Sequence, residues 1–220
     1  MALMDSGIIS LARLYKVIRE SPDQRLLPKL AGKNAPGKSY TNACAEIANS
    51  FPKIQGLYLW GTFEKNKFWR NIYVGQAGTG SNASLRKRVL KELKDERAFA
   101  FRAFFSQSAL EEIREEIHQG KYRSAWKRSV RKEGTTYIVW VSTPDIKEEK
   151  DLLRIEADLI ESMNPSANAD RDPPTEILGS KTLEIFRLFR TRINEQRETA
   201  ILPVSLVKDH LTSAERAENP

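Results

Sequence analysis

Glu156 stands where the surrounding pattern asks for an apolar side chain. In the helix read over 146–163, Leu152, Leu159, Ile160 and Met163 form the inward stripe, and Glu156 falls on it four residues after Leu152. A carboxylate on an inward face is costly unless it is hydrogen-bonded or binds a cation. Two readings follow: a partly buried glutamate at the stripe's edge, or a metal ligand on the floor of a cleft. One carboxylate completed by waters suits Mg²⁺. Gly56-Leu57-Tyr58 and Tyr73-Val74-Gly75 supply two phenols, one opening and the other closing the strands of a predicted hairpin. Such a hairpin brings Tyr58 and Tyr73 to one edge of the sheet, while Gly56 and Gly75 let a ligand approach the backbone. Tyrosines in strands also serve simply as packing residues. Arg88 lies one turn into a helix that follows a Gly/Ser/Thr-rich loop, a position suited to phosphate or, in the plainer reading, to solvent.

The scarce residue types narrow the chemistry. Cys44 is the only cysteine, so no internal disulfide and no Cys-rich zinc site is possible. His118 and His210 are the only histidines and build no HExxH or paired-His metal site. No G-x-S-x-G nucleophile elbow is present. Carboxylates, Tyr, Lys and Arg remain, which are the tools of metal-assisted phosphate chemistry more than of acyl transfer.

The elements that position these residues can be read from periodicity and turn signals. Residues 6–20 read as a helix with Ile9, Leu11, Leu14, Val17 and Ile18 as its apolar stripe, and 41–49 as a second helix after a Pro/Gly/Lys loop. Strands are expected over 56–63 and 68–75, joined by the polar turn 64–67, with a helix over 84–95. Residues 98–105 lean toward strand, 108–119 and 121–132 toward helix, 135–142 toward strand, and 146–163 and 180–198 toward helix. The expected class is α/β (α+β): a small three-stranded, mostly antiparallel sheet flanked by helices. A helical N-terminal extension (1–54) precedes a core (55–169) with a basic helical insertion at about 98–134, and a C-terminal helix and tail (170–220) follow.

In 220 residues, 36 Lys and Arg oppose 29 Asp and Glu, giving a net charge of +7. The excess is uneven: +6 over 51–100 and +3 over 101–135, against −5 over 136–170. That mild basicity suits a polyanionic partner without requiring one. No apolar run is long enough to cross a membrane and no signal peptide is evident, so a cytoplasmic protein without membrane partners is expected.

Taken together, these residues resemble the GIY-YIG nucleases. The first motif is met by Gly56-Leu57-Tyr58 and the second by Tyr73-Val74-Gly75. Leu85-Arg86-Lys87-Arg88-Val89 matches the helix carrying the family's catalytic arginine, with Arg88 at the motif position. Glu156, Leu159-Ile160, Pro165 and Asn168 follow the family's E-x2-L-I-x4-P-x2-N run. The resemblance spans roughly 55–169; each motif is short, but four stand in the right order on the right elements. Three departures accompany it. The tyrosines are further apart than usual, the loop between Gly75 and Arg88 is long enough to keep Arg86 as a fallback, and Glu92 stands where some members carry a histidine.

The resemblance implies an endodeoxyribonuclease using Mg²⁺, with Mn²⁺ as a substitute, held by Glu156. Tyr58 would help activate water, a role for which a phenol of ordinary pKa near ~10 needs a cation nearby, from Lys65, Lys67 or Arg88. Arg88 would stabilise the transition state, Tyr73 would orient water or a phosphate oxygen, and Asn168 would brace the loop behind Glu156. Lys67 is thereby a candidate catalytic residue, and Lys65, Arg86 and Lys87 are candidate DNA contacts. In the insertion, Lys121–Lys132 sets six cations around Tyr122 and Trp126, so Arg123, Lys127, Arg128 and Arg131 are further candidates for double-stranded DNA. The plainer alternative is a solvated face balanced by Glu111, Glu112, Glu115 and Glu116. The family members most similar in anatomy are stand-alone type II restriction enzymes, which implies a homodimer or higher homo-oligomer cutting a specific site. A repair or homing nuclease, or an inactive nucleic-acid-binding module, are the alternatives.

Two competing motifs carry less. Gly32–Ser39 satisfies the phosphate-cradling G-x4-G-K-S, but Arg25–Ala31 makes a poor preceding strand, so no nucleotide cofactor is expected. Asp145 with Glu148 and Lys150 imitates another nuclease pattern at a spacing too short for two strands.

Overall fold

Gly56–Phe63 and Trp69–Ala77 are rich in aromatic and β-branched residues and are separated by a turn containing Lys67 at φ 60°, so the chain folds back on itself. These strands, β2 and β3 here, form the predicted antiparallel hairpin, with Tyr58 opposite Gly75 and Trp60 opposite Tyr73. The register slips between Trp60 and Gly61, placing one extra residue, Ile72, on β3. The computed structural model describes residues 3–20, 38–64, 66–78, 83–94, 135–165, 168 and 179–200.

Two more strands complete the sheet. Tyr137–Ser142 (β4) pairs with the other side of β2, and Ser6–Ser10 (β1) pairs with β4. The order is β1-β4-β2-β3 and every pairing is antiparallel. The three-stranded expectation is therefore corrected to four strands among the described residues. The fourth comes from a segment expected to be helical: the helix read over 6–20 begins only at Ala12. Ser10 ends β1, and its Oγ accepts the Ala12 N–H at 3.1 Å. Gly7 lets the Trp140 ring lie on β1, since a Cβ there would come within 2.9 Å of it.

Alternation along the strands assigns the two faces. Leu57 and Leu59, with Val74, Val139 and Val141, face Glu149–Met163 (α4) and Ser180–Gln196 (α5), where Leu152, Leu159, Ile185 and Phe189 complete one core. Tyr58, Trp60 and Tyr73 face the other way, toward Leu85–Lys94 (α3), itself backed by Ala12–Glu20 (α1) and Lys38–Asn49 (α2). The molecule is thus a mixed α/β fold with helices on both faces of an antiparallel sheet. No helix among the described residues is long and apolar enough to cross a membrane.

Candidate active site

The site is assembled at the end of the hairpin remote from its turn. Tyr58 is wholly buried and Tyr73 keeps 8% of its surface exposed, with ring centroids 6.3 Å apart. Gly75 is essential to this arrangement: a Cβ there would come within 2.5 Å of Tyr58 Cζ. At Gly56 a Cβ would approach Leu85 Cδ1 to 2.8 Å. The space at the two glycines is thus taken by the protein's own atoms, the Tyr58 ring at Gly75 and the Val141 carbonyl with Leu85 at Gly56, rather than left open to a ligand as the sequence suggests.

Helix α3 brings the guanidinium. Ser84 precedes it, and its Oγ accepts the Lys87 N–H at 3.2 Å, starting the helix. Leu85, Val89 and Leu93 are buried against the sheet, which turns Arg88 and Glu92 toward the phenols. Arg88 Nε donates to the Tyr58 oxygen at 3.3 Å and to Glu92 Oε1 at 2.8 Å, and Tyr73 accepts a further hydrogen bond from Arg88. The Tyr58 O–H donates to Glu92 Oε1. About a third of the Arg88 side chain remains exposed.

Glu156 arrives on α4, which packs against the edge strand β3. Its residue is only 6% exposed, as the stripe argument requires, and its charge acts on both Tyr73 and Glu92. The segment behind it is tied to β3. Asn168 Oδ1 accepts the Val74 N–H at 2.8 Å, and its Nδ2 donates to the Val74 carbonyl at 2.9 Å. Asn71 Nδ2 donates to the carbonyl of Met163, the last residue of α4, at 2.7 Å. Asn168 thus occupies the outer edge of the strand that carries Tyr73 and Gly75.

Burial governs the ionisation of this cluster. It pushes the Tyr58 phenol well above its ordinary value, and the neighbouring Glu92 raises it further. Tyr73 is raised by burial and by Glu92 and Glu156. Burial alone would lower Arg88, but contact with Tyr58 and Glu92 outweighs it and holds the guanidinium firmly charged. Burial lifts Glu92 to about 7, against the lowering effect of its hydrogen bonds to Tyr58 and Arg88. Arg88 therefore supplies the expected cation, yet it does not make either tyrosine an accessible phenolate near neutral pH. Both act here as protonated phenols.

Other candidates fall elsewhere. Arg86 Nε and Nη2 donate to the carbonyls of Phe51 and Asn49, each at 2.9 Å, fastening α3 to the end of α2 and the loop after it, whereas Arg88 is the arginine that meets the phenols. Lys67 sits in the hairpin turn and pairs with Glu198 at 3.1 Å, beyond α5. Five residue steps of ~3.3 Å each carry the strand from Tyr58 to Phe63 before the turn begins, so Lys67 cannot reach the phenols. Lys87 does line a cleft of about 200 Å³ beside the cluster, with Ser84, Arg88, Lys91 and Gly78. Lys91 was not among the sequence-derived candidates. Asp145 is engaged by Lys181 at 2.6 Å, and Lys150 by Glu148 at 2.7 Å. Lys65, Arg123, Lys127, Arg128 and Arg131, with the whole insertion at about 98–134, lie outside the described residues, as does residue 32–37 of the P-loop-like match; Lys38 and Ser39 open α2.

Glu92, met in the sequence only as a departure from the histidine some family members carry, is the site residue to which sequence reasoning gives no role. Among the described residues no three His, Cys, Asp or Glu side chains gather as a ready-made metal cluster. Two buried carboxylates acting on one another, Glu92 and Glu156, nonetheless create a negative field that a divalent cation would relieve. Glu156 with waters fits such an ion. Compared with family models, curated proteins and solved structures, the chain matches none.

Proposed function

We propose that this protein is a Mg²⁺-dependent DNA endonuclease of the GIY-YIG type. One observation carries the reading: Tyr58, Tyr73 and Arg88, from three separate elements, meet at one end of the hairpin, and the charge of the buried Glu156 acts on Tyr73 at its rim. Glu156 would hold the ion, whose chemistry there is to polarise the scissile phosphate and stabilise the leaving oxygen. Arg88 offers a fixed positive charge to the phosphate as it gains charge in the transition state. The protonated Tyr73, at the rim, donates to a phosphate oxygen or orients the attacking water. Tyr58, enclosed behind Arg88, holds that guanidinium in place. Lys87 and Lys91 give the adjoining cleft the sign a nucleic-acid backbone requires.

Within that class the reading is a type II restriction enzyme acting on double-stranded DNA as a homodimer, with α5 as the contact between subunits. The helical additions around the core supply surface for reading a site. The test is digestion of plasmid DNA with Mg²⁺ or Mn²⁺ followed by sequencing of the ends. Discrete fragments with a shared end sequence are expected, while cutting confined to branched or damaged DNA would transfer the protein to repair. Glu156→Gln should reduce cleavage about 10²–10³-fold while DNA binding persists. Full activity in that variant would refute the mechanism.

A further inference from the structure

Glu92 stands where some members of the resembled family carry a histidine, and with Tyr58 it is one of two fully enclosed ionisable groups in the site. Its side chain is 0% exposed. Oε1 accepts the Tyr58 O–H and the Arg88 Nε–H, and Arg88 Nε also reaches the Tyr58 oxygen, so the three groups close into one triangle joining β2 to α3. Oε2 is buried and has no hydrogen-bond partner among the described residues. A carboxylate kept only for stability would satisfy both oxygens or give way to a neutral side chain of similar volume.

We infer that Glu92 is a positioning residue for DNA cleavage: its ionised carboxylate locks Tyr58 and Arg88 into one unit, so that the guanidinium is presented in a fixed orientation to the scissile phosphate. The inference rests on the nuclease reading above. A neutral amide at this position cannot reproduce the lock. Its one oxygen could still accept both hydrogen bonds made to Oε1, but it brings no charge to hold Arg88, and it sets two N–H donors at the buried Oε2 position, where no partner stands among the described residues. The groups facing Glu92 are Tyr58 from β2, Tyr73 from β3, Arg88 on its own helix and Glu156 from α4; Cys44 on α2 instead donates to the Leu93 carbonyl at 3.6 Å.

The experiment measures single-turnover cleavage of plasmid DNA with Mg²⁺ at pH 8, together with DNA affinity in Ca²⁺. Glu92→Gln should be slower by about 50-fold or more while binding DNA within about threefold of wild type, and Glu92→Asp, which restores the charge, should recover about tenfold of that loss. A Glu92→Gln protein cutting at wild-type rate overturns the inference, as does a slow one whose loss Glu92→Asp does not relieve, which would mark a merely structural role. Tyr58→Phe tests the same unit from the other side and covers the case in which Glu92→Gln does not fold. It removes one side of the triangle, so cleavage should slow by about tenfold or more with DNA affinity kept within about threefold; an unchanged rate overturns the proposal. Wild-type protein that leaves all DNA intact refutes the nuclease reading and this inference with it, whereas a fast Glu92→Gln enzyme refutes the inference alone.

Discussion

Two arginines on either side of Lys87 have different surroundings. Arg86 and Arg88 read alike in Leu85-Arg86-Lys87-Arg88-Val89, and spacing alone left both as candidates. The fold divides them: Arg86 spends its donors on the Asn49 and Phe51 carbonyls, and Arg88 meets the phenols and Glu92. Arg86→Ala should therefore destabilise the protein by about 1–2 kcal/mol while leaving cleavage per folded molecule nearly unchanged. Arg88→Ala should cut the rate by about 10²-fold or more without lowering the melting temperature comparably. Thermal unfolding beside cleavage assays decides this; the reverse pattern would make Arg86 the chemical residue. Tyr58, Tyr73 and Glu156 were legible because each breaks or punctuates a local pattern. Glu92 carried the same signal unread: Leu85, Val89 and Leu93 set the inward stripe of α3, and Glu92 falls on it as Glu156 falls on its own. Its neighbour four residues back, Arg88, made it resemble an ordinary solvent-facing ion pair.

At the scale of elements, the hairpin, α3, β4, α4 and α5 were legible within a few residues, since their periods and turn signals are local. β1 was not. Ser6–Ser10 continues without a break into Leu11, Leu14 and Val17, which fit a helical period, and only pairing with β4, more than a hundred residues away, makes it a strand. The link between α4 and β3 is likewise non-local, and Asn168 carries much of it. Asn168→Ala removes both of its hydrogen bonds to Val74, at about 1 kcal/mol each, and should lower the melting temperature by several degrees. Because this tie holds the chain that follows α4 on the strand carrying Tyr73, cleavage should also slow by about tenfold at temperatures where the variant is fully folded. A lower melting temperature with an unchanged rate would mean that α4 keeps its place without the asparagine.

For the whole molecule, the net charge of +7 mattered less than where it lies. The basic residues of the hairpin turn and of α3 looked equivalent in sequence, but the fold sends them to opposite ends of β2 and β3. Lys67 is held by Glu198 beyond α5, and Lys87 lines the cleft beside Arg88. A DNA backbone seated on Arg88 and Tyr73 would pass Lys87 and Lys91 and leave Lys67 untouched. Each lost phosphate contact reduces the slope of log affinity against log salt by about 0.9 for duplex DNA. Lys87→Ala should thus weaken binding to all sequences alike and reduce that slope by about one, whereas Lys67→Ala should change neither binding nor cleavage by more than about twofold. The measurement is DNA affinity across a salt series for both variants. Equal losses would mean that the duplex runs along the full length of the hairpin, and that the cleft at α3 is not where the backbone enters.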